Sequence, residues 1–79
     1  MVFLFSLFID WDIDRVKRWA LTVFDDEEVA GKFENEEIDG KTLQSDIILT
    51  DQSMNNLGLT TIGKKNRFLT AVRQLSGKF

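Results

Sequence analysis

The apolar residues of the chain recur at the spacing of helices rather than of strands. The pattern is clearest from Ile62 onward, where apolar side chains follow the i, i+3, i+4, i+7 spacing of one buried stripe. The members of this stripe are Phe68, Ala71, Val72, Leu75 and Phe79. A final helix is therefore predicted to begin near Ile62. Gly58, shortly before it, suits the left-handed stop of a shorter helix.

Four shorter helices are predicted upstream, each preceded by residues that favour a helix start. Asp12, Asp39 and Thr50 stand where a side-chain oxygen accepts a free backbone N–H group. The acidic run at 25–28 precedes another apolar stripe, and the helix dipole favours acids at that end. The buried positions predicted for these helices are Ile13, Val16, Trp19, Ala20, Val23, Val29, Ala30, Phe33, Leu43, Met54 and Leu57. We expect a compact all-α bundle of five helices with the last helix the longest.

An almost wholly apolar arm at residues 1–10 precedes the bundle, which we place at residues 11–77. The arm is shorter than the roughly 20 residues that span a bilayer, so no transmembrane segment is predicted. It also lacks the basic start and the cleavage pattern of a signal peptide. Three interpretations stay open: the arm packs on its own core, docks on another subunit, or is not native to the chain.

Composition removes several classes of function. The 79 residues include no cysteine and no histidine, which removes disulfides, thiol nucleophiles, the usual zinc ligands and the commonest general base. A chain of this length makes one small domain without room for a large active-site cleft. We therefore expect no enzyme, no bound metal and no cofactor. The lack of cysteine is compatible with an intracellular protein of the cytoplasm or nucleus.

Two short motifs imitate ligand-binding loops without completing them. The run from Gly58 to Lys64 has the spacing of a phosphate-binding loop, but Lys65 occupies the position of the hydroxyl that holds magnesium. The alternating acids at 10–14 resemble the start of a calcium loop, but Arg15 stands where glycine must turn the chain. Neither nucleotide nor calcium binding is predicted.

Charge is divided sharply along the chain. Residues 25–51 contain ten acids and two bases, whereas residues 52–79 contain five bases and no acid, although the net charge is only -3. Lys64, Lys65 and Arg67 crowd the first turn of the predicted final helix, where the dipole disfavours cations. Such a cluster indicates an anionic partner, and complementary patches orient copies of a chain toward one another.

The order of these signals resembles the sterile alpha motif, or SAM domain, over about residues 11–76. The matching residues are Trp11, Val16, Trp19, Phe33, Ile38, Asp39, Gly40, Leu43, Leu49, Thr50, Met54, Leu57, Gly58, Leu59, Gly63, Lys64, Lys65 and Leu69. Ala20 and Gln44 depart from the usual leucines of the family, and the connection at 40–50 is longer than usual. The resemblance implies a five-helix bundle that mediates protein association in signalling scaffolds rather than catalysis.

Many SAM domains join head to tail through two surfaces, and the resemblance assigns candidates to each. The end-helix surface comprises Leu59, Thr60, Lys64, Lys65 and Arg67. The mid-loop surface comprises Glu34, Glu36, Glu37, Asp39, Asp46 and Asp51. The expected function is self-association into oligomers or polymers, with Leu59 as the apolar contact; association with another SAM domain is an alternative. This hypothesis requires that the acids do not lie beside Lys64 and Lys65 in one chain, because both charges would then be neutralised.

Binding of an RNA hairpin is a further alternative, because some SAM domains hold one at the amino end of the last helix. Lys64, Lys65 and Arg67, helped by Arg73, would contact its phosphates. The negative net charge and the acidic neighbouring segment argue against nucleic acid. Membrane contact through the arm is a still weaker alternative, since no basic residue flanks the arm to hold anionic lipid.

Overall fold

The computed structural model describes residues 8–76, and every regular element in this part of the chain is helical. The α-helices are α1 (Ile13–Phe24), α2 (Glu27–Asn35), α3 (Gly40–Gln44), α4 (Asp51–Asn56) and α5 (Ile62–Ser76), and a 3-10 helix (Asp46–Leu49) connects α3 to α4. The predicted all-α bundle of five helices is confirmed, and α5 is the longest at 15 residues. Phe79, assigned to the last stripe, lies outside the described residues.

The side chains predicted to cap helix starts do so in the structure. Asp12, Asp39 and Thr50 each accept the backbone N–H three residues downstream, at 2.8, 2.9 and 3.2 Å. The acidic residues at 25–28 serve two helices, the end of α1 and the start of α2. Asp25 ends α1 in a left-handed conformation with φ 51°, and Asp26 caps the start of α2. Each helix start therefore follows from residues adjacent to it in sequence.

Two helices end with the same backbone motif, which turns the next apolar residue inward. After α4, Gly58 is left-handed with φ +82°, as predicted, and Leu59 N donates to a carbonyl five residues upstream at 2.9 Å. After α2, Glu37 takes the left-handed position with φ 57°, and Ile38 N makes the equivalent bond at 3.1 Å. The residue after the left-handed one commonly makes a hydrophobic contact with its helix. Leu59 and Ile38 are accordingly buried.

Aromatic side chains form the centre of the core, between α1, α2 and α5. The ring centroids of Phe33 and Phe68 lie 5.9 Å apart, and Trp19 meets them edge-on at 6.3 and 6.4 Å. Phe24 packs against both phenylalanines. The radius of gyration is 11.5 Å, close to the value of about 12 Å expected for a compact chain of this length.

The chain ahead of α1 packs on the start of α3. Phe8 is buried in the core, and its ring meets Trp11 edge-on at 6.2 Å. The backbone N–H of Gly40 donates to the Trp11 carbonyl at 2.8 Å. Residues 1–7 of the predicted arm, and residue 77 at the predicted domain end, lie outside the described residues.

Candidate interaction surfaces

The cations at the start of α5 lie in different environments. Arg67 is exposed, whereas Lys64 and Lys65 are partly buried on opposite edges of the core-facing stripe. Thr61 Oγ1 accepts the Lys64 backbone N–H at 3.2 Å and so caps the helix. The neighbouring Thr60 is exposed. The first turn of α5 therefore presents its positive charge on more than one side.

Lys65 is paired with an acid of its own chain. Its Nζ atom lies 2.7 Å from Oδ1 of Asp51, and its side chain is only 19% exposed. One member of the end-helix surface is thus neutralised by one member of the mid-loop surface. The expectation that the two surfaces are separate is wrong at this point, because the start of α4 lies beside the first turn of α5. Each of these two charges already has an opposite charge beside it, which weakens its attraction for a second molecule.

Leu59 also differs from its predicted place on the end-helix surface. It is 0% exposed and belongs to the core. The physical reason is the turn after α4, since the left-handed Gly58 directs the following residue back against the helix. The signal was present in the sequence as a glycine followed by an apolar residue. Leu59 cannot provide an apolar contact to another molecule without leaving the core.

Two further acids of the mid-loop surface have partners within the chain. Glu34 Oε1 accepts from Lys17 Nζ at 2.9 Å, and the hydrogen bond and charge of Glu34 raise the pKa of that lysine. Asp39 is occupied as the cap of α3. Glu36 and Glu37 are exposed and form no ion pair with any described side chain. Of Asp46 the structure describes only the backbone, in the 3-10 helix.

Two exposed isoleucines were not predicted as interaction residues. Among the described residues, Ile62 and Ile47 are the most exposed large apolar side chains, at 87% and 65%. A signal for Ile62 existed in the sequence, because at 100° per residue it lies about 120° from Phe68 on the helix. The sequence gives no comparable signal for Ile47. It belongs to the apolar run 47–49, and nothing in that run distinguishes Ile48, which is fully buried, from its two exposed neighbours.

Ile47 stands at the edge of a shallow groove between the end of α2, α3, the 3-10 helix and α4. The groove contains about 370 Å³ of empty space, including the part open to solvent, and Ile38, Ile48 and Leu57 supply apolar lining. Glu36 also lines it. The mid-loop region thus combines an apolar depression with an unpaired acid, a combination typical of protein-interaction surfaces.

Replacing Asp39 by asparagine is expected to make the free energy of unfolding depend less on pH in the acid range. Hydrogen bonds from the backbone and side chain of Thr42 hold the pKa of Asp39 below its usual value. A lowered folded-state pKa gives stability that is present above the unfolded-state pKa and is lost as pH falls through the folded-state value. Asparagine caps a helix as well as aspartate but does not titrate. Urea unfolding between about pH 5 and pH 2 measures the difference.

The matched control is Asp39→Ala, which removes the cap at every pH and should stay about 1 kcal/mol less stable than Asp39→Asn throughout, because neither side chain titrates. Wild type should lose more stability than Asp39→Asn over the acid range. If the free energies of unfolding of the two proteins fall equally with pH, the assigned role of this carboxylate is wrong.

Comparison of the chain with protein-family models, with curated proteins and with solved structures finds no match. None of the helices within residues 8–76 has the length and apolar character needed to cross a bilayer.

Proposed function

We propose that this chain is a SAM-like protein-interaction domain that associates with copies of itself head to tail. The observation that carries the proposal is the position of the two most exposed large apolar side chains in the described part of the chain. Ile62 precedes Lys64 in the segment without acids, whereas Ile47 lies in the acid-rich segment. An apolar contact surrounded by opposite charges on the two partners gives both attraction and orientation.

The charges that support this contact are fewer than the sequence alone indicated. Lys64 and Arg67 remain on the basic side and Glu36 and Glu37 on the acidic side, since none of these four pairs with a described side chain. An exposed ion pair contributes only about 0–1 kcal/mol, so the apolar contact must supply much of the affinity. Added salt should weaken the assembly, because screening shortens the range of the charges.

A contact between two different surfaces leaves one surface free at each end of the assembly. It therefore propagates as a filament unless the rotation between subunits closes a ring. The same two surfaces also suit association with another SAM domain, in which case only one of them would be used. Oligomer size is consequently the property that separates homopolymer from heterodimer.

Single charge reversals should convert the assembly to monomers, and a mixture of two opposite reversals should restore assembly. Lys64→Glu blocks the basic side and Glu36→Lys blocks the acidic side, while each variant keeps its other side intact. Sedimentation of wild type at low salt should show species that grow with concentration. Each variant alone should sediment as a monomer, and an equimolar mixture should assemble again. The two unchanged sides pair as in wild type, and the two reversed sides pair with their charges exchanged.

Arg73→Glu is the matched control, since it reverses the same charge on the same helix. It is exposed and lies about 13 Å along α5 from Lys64, so it should assemble like wild type. Wild type that stays monomeric at high concentration and low salt would contradict self-association and direct the search to a foreign SAM domain. Retarded migration of a hairpin RNA would favour nucleic acid instead, although the depression between α1 and α5 that Arg67 lines contains no second charged side chain.

A further inference from the structure

Thr22, in the last turn of α1, combines an exposed hydroxyl with a run of acids that begins three residues after it. The run is Asp25, Asp26, Glu27 and Glu28, and no other serine or threonine of the chain has an acid three residues later. We infer that Thr22 is a phosphorylation site for a protein kinase that selects acids after its target residue. A cationic substrate groove reads such a charge pattern. The inference goes beyond the proposed self-association and does not depend on it.

The acids that such a kinase would read lie at the surface, beyond the end of α1. The helix ends at Phe24, Asp25 is left-handed, and Asp26 is extended where it caps α2. Asp25, Glu27 and Glu28 are exposed. None of the four acids forms an ion pair with a cation of the described residues. Their charges are therefore available to a cationic partner.

The hydroxyl of Thr22 becomes available when the last turn of α1 opens. Its Oγ1 atom donates to the backbone carbonyl of Arg18 at 3.1 Å, and helix ends fray more readily than helix interiors. In the kinase the γ-phosphoryl group of ATP moves to Oγ1. The bond to ADP breaks as the new P–O bond forms, and the hydroxyl proton passes to the catalytic aspartate of the kinase. Because Phe24 is buried, opening limits the rate, and the folded chain should react more slowly than a peptide of residues 18–28.

A cation stands across from Thr22 to receive the phosphate. Thr22 and Arg67 line the same depression between α1 and α5, and Thr70 and Gln74 add hydrogen-bond donors to its lining. Arg67 is exposed and pairs with no acid of the described residues. The end of the helix dipole and the neighbouring acids disfavour a phosphate at Thr22. A bidentate bond from the Arg67 guanidinium offsets that repulsion.

Phosphorylation would also weaken the proposed self-association, and this consequence alone rests on the proposed function. Arg67 is one of the two cations that remain on the basic side. A phosphate with a charge of about -1.5 to -2 neutralises it and repels the acidic side of a second copy. The Kd for self-association should rise about tenfold.

Incubation of the full chain with ATP and a purified acid-directed kinase tests the site. Mass spectrometry should find one phosphate, on Thr22, and none in Thr22→Val. Asp25→Asn should slow the reaction about tenfold, because asparagine tolerates the left-handed conformation but lacks the charge. Glu36→Gln removes an exposed acid outside the run and should keep the wild-type rate. The assignment is wrong if only the peptide is modified, if another residue takes the phosphate, or if Asp25→Asn reacts like wild type.

Titration of the phosphate followed by phosphorus NMR tests its pairing with Arg67. A guanidinium beside the phosphate favours the dianion and lowers its second pKa. That pKa should therefore be higher in phosphorylated Arg67→Gln than in phosphorylated wild type. Arg73→Gln loses the same charge about 9 Å farther along α5 and should titrate like wild type. Equal pKa values in wild type and Arg67→Gln would contradict the pairing.

Sedimentation separates the modification from its consequence for assembly. Phosphorylated wild type should associate about tenfold more weakly than unmodified protein, whereas Thr22→Val treated in the same way should be unchanged. If phosphorylated protein associates as tightly as unmodified protein, the effect on assembly is wrong. If unmodified wild type does not associate at all, the proposed function fails, and the mass and NMR measurements still decide the phosphorylation site.

Discussion

Replacing Gly40 by alanine is expected to lower the free energy of unfolding by about 3 kcal/mol. A Cβ atom at this position would lie 2.0 Å from the backbone oxygen of Phe8 and 2.8 Å from the carbonyl carbon and oxygen of Ile9. Backbone atoms cannot rotate out of the way, so α3 and the chain ahead of α1 must separate. That separation also strains the bond from the Gly40 N–H to Trp11 and withdraws Phe8 from the core.

Gly31→Ala is the matched control, because it makes the same chemical change inside α2. A Cβ atom there meets nothing within 4 Å, and alanine in a helix interior is more stable than glycine by about 0.5–1 kcal/mol. Urea unfolding followed by tryptophan fluorescence should therefore show changes of opposite sign for the two variants. Equal effects at Gly40 and Gly31 would contradict the close approach of Phe8 and Ile9 to α3.

Replacing Phe33 by alanine is expected to cost about 3–5 kcal/mol, which approaches the whole stability of a small domain. Its side chain is 0% exposed, and its ring packs on Trp19, Phe24 and Phe68 with centroids 5.9–6.3 Å away. The rings around the cavity belong to α1 and α5 and cannot all move inward together. Near-ultraviolet circular dichroism and urea unfolding should show lost aromatic packing and a substantial unfolded population.

Ile62→Ala provides the comparison for an apolar truncation at the surface. Because Ile62 is 87% exposed, its removal should change stability by no more than about 0.5 kcal/mol. Phe33→Leu should fall between these two variants, since leucine fills part of the space. A loss for Phe33→Ala as small as that for Ile62→Ala would mean that Phe33 is not at the centre of the core.

Most of the helical architecture could be predicted because it depends on neighbours in sequence. The caps Asp12, Asp39 and Thr50 act on N–H groups three residues away. The stripe of α5 depends on helical periodicity, and Phe68 and Val72 are buried as it predicted. The left-handed conformation of Gly58 follows from its missing Cβ. Such local rules depend on residues within about one helical turn.

The candidate surfaces were less predictable, because exposure and pairing depend on how helices are placed against each other. Asp51 and Lys65 are 14 residues apart, and only the approach of α4 to α5 brings them to 2.7 Å. Leu59 was assigned to the surface although the turn before it directs it inward. Glu36 was among the candidates from the sequence, but only the structure places it on the lining of the groove.

The sequence by itself determined the number of helices, where they begin, and the separation of acids from bases along the chain. Only the tertiary structure decided that Ile47 and Ile62 remain exposed, that Leu59 is buried, and that Lys65 is neutralised within its own chain. The physical reason is the distance along the sequence over which each kind of interaction acts. Capping and periodicity act within about one helical turn, whereas burial and ion pairing depend on the positions of segments that are distant in sequence.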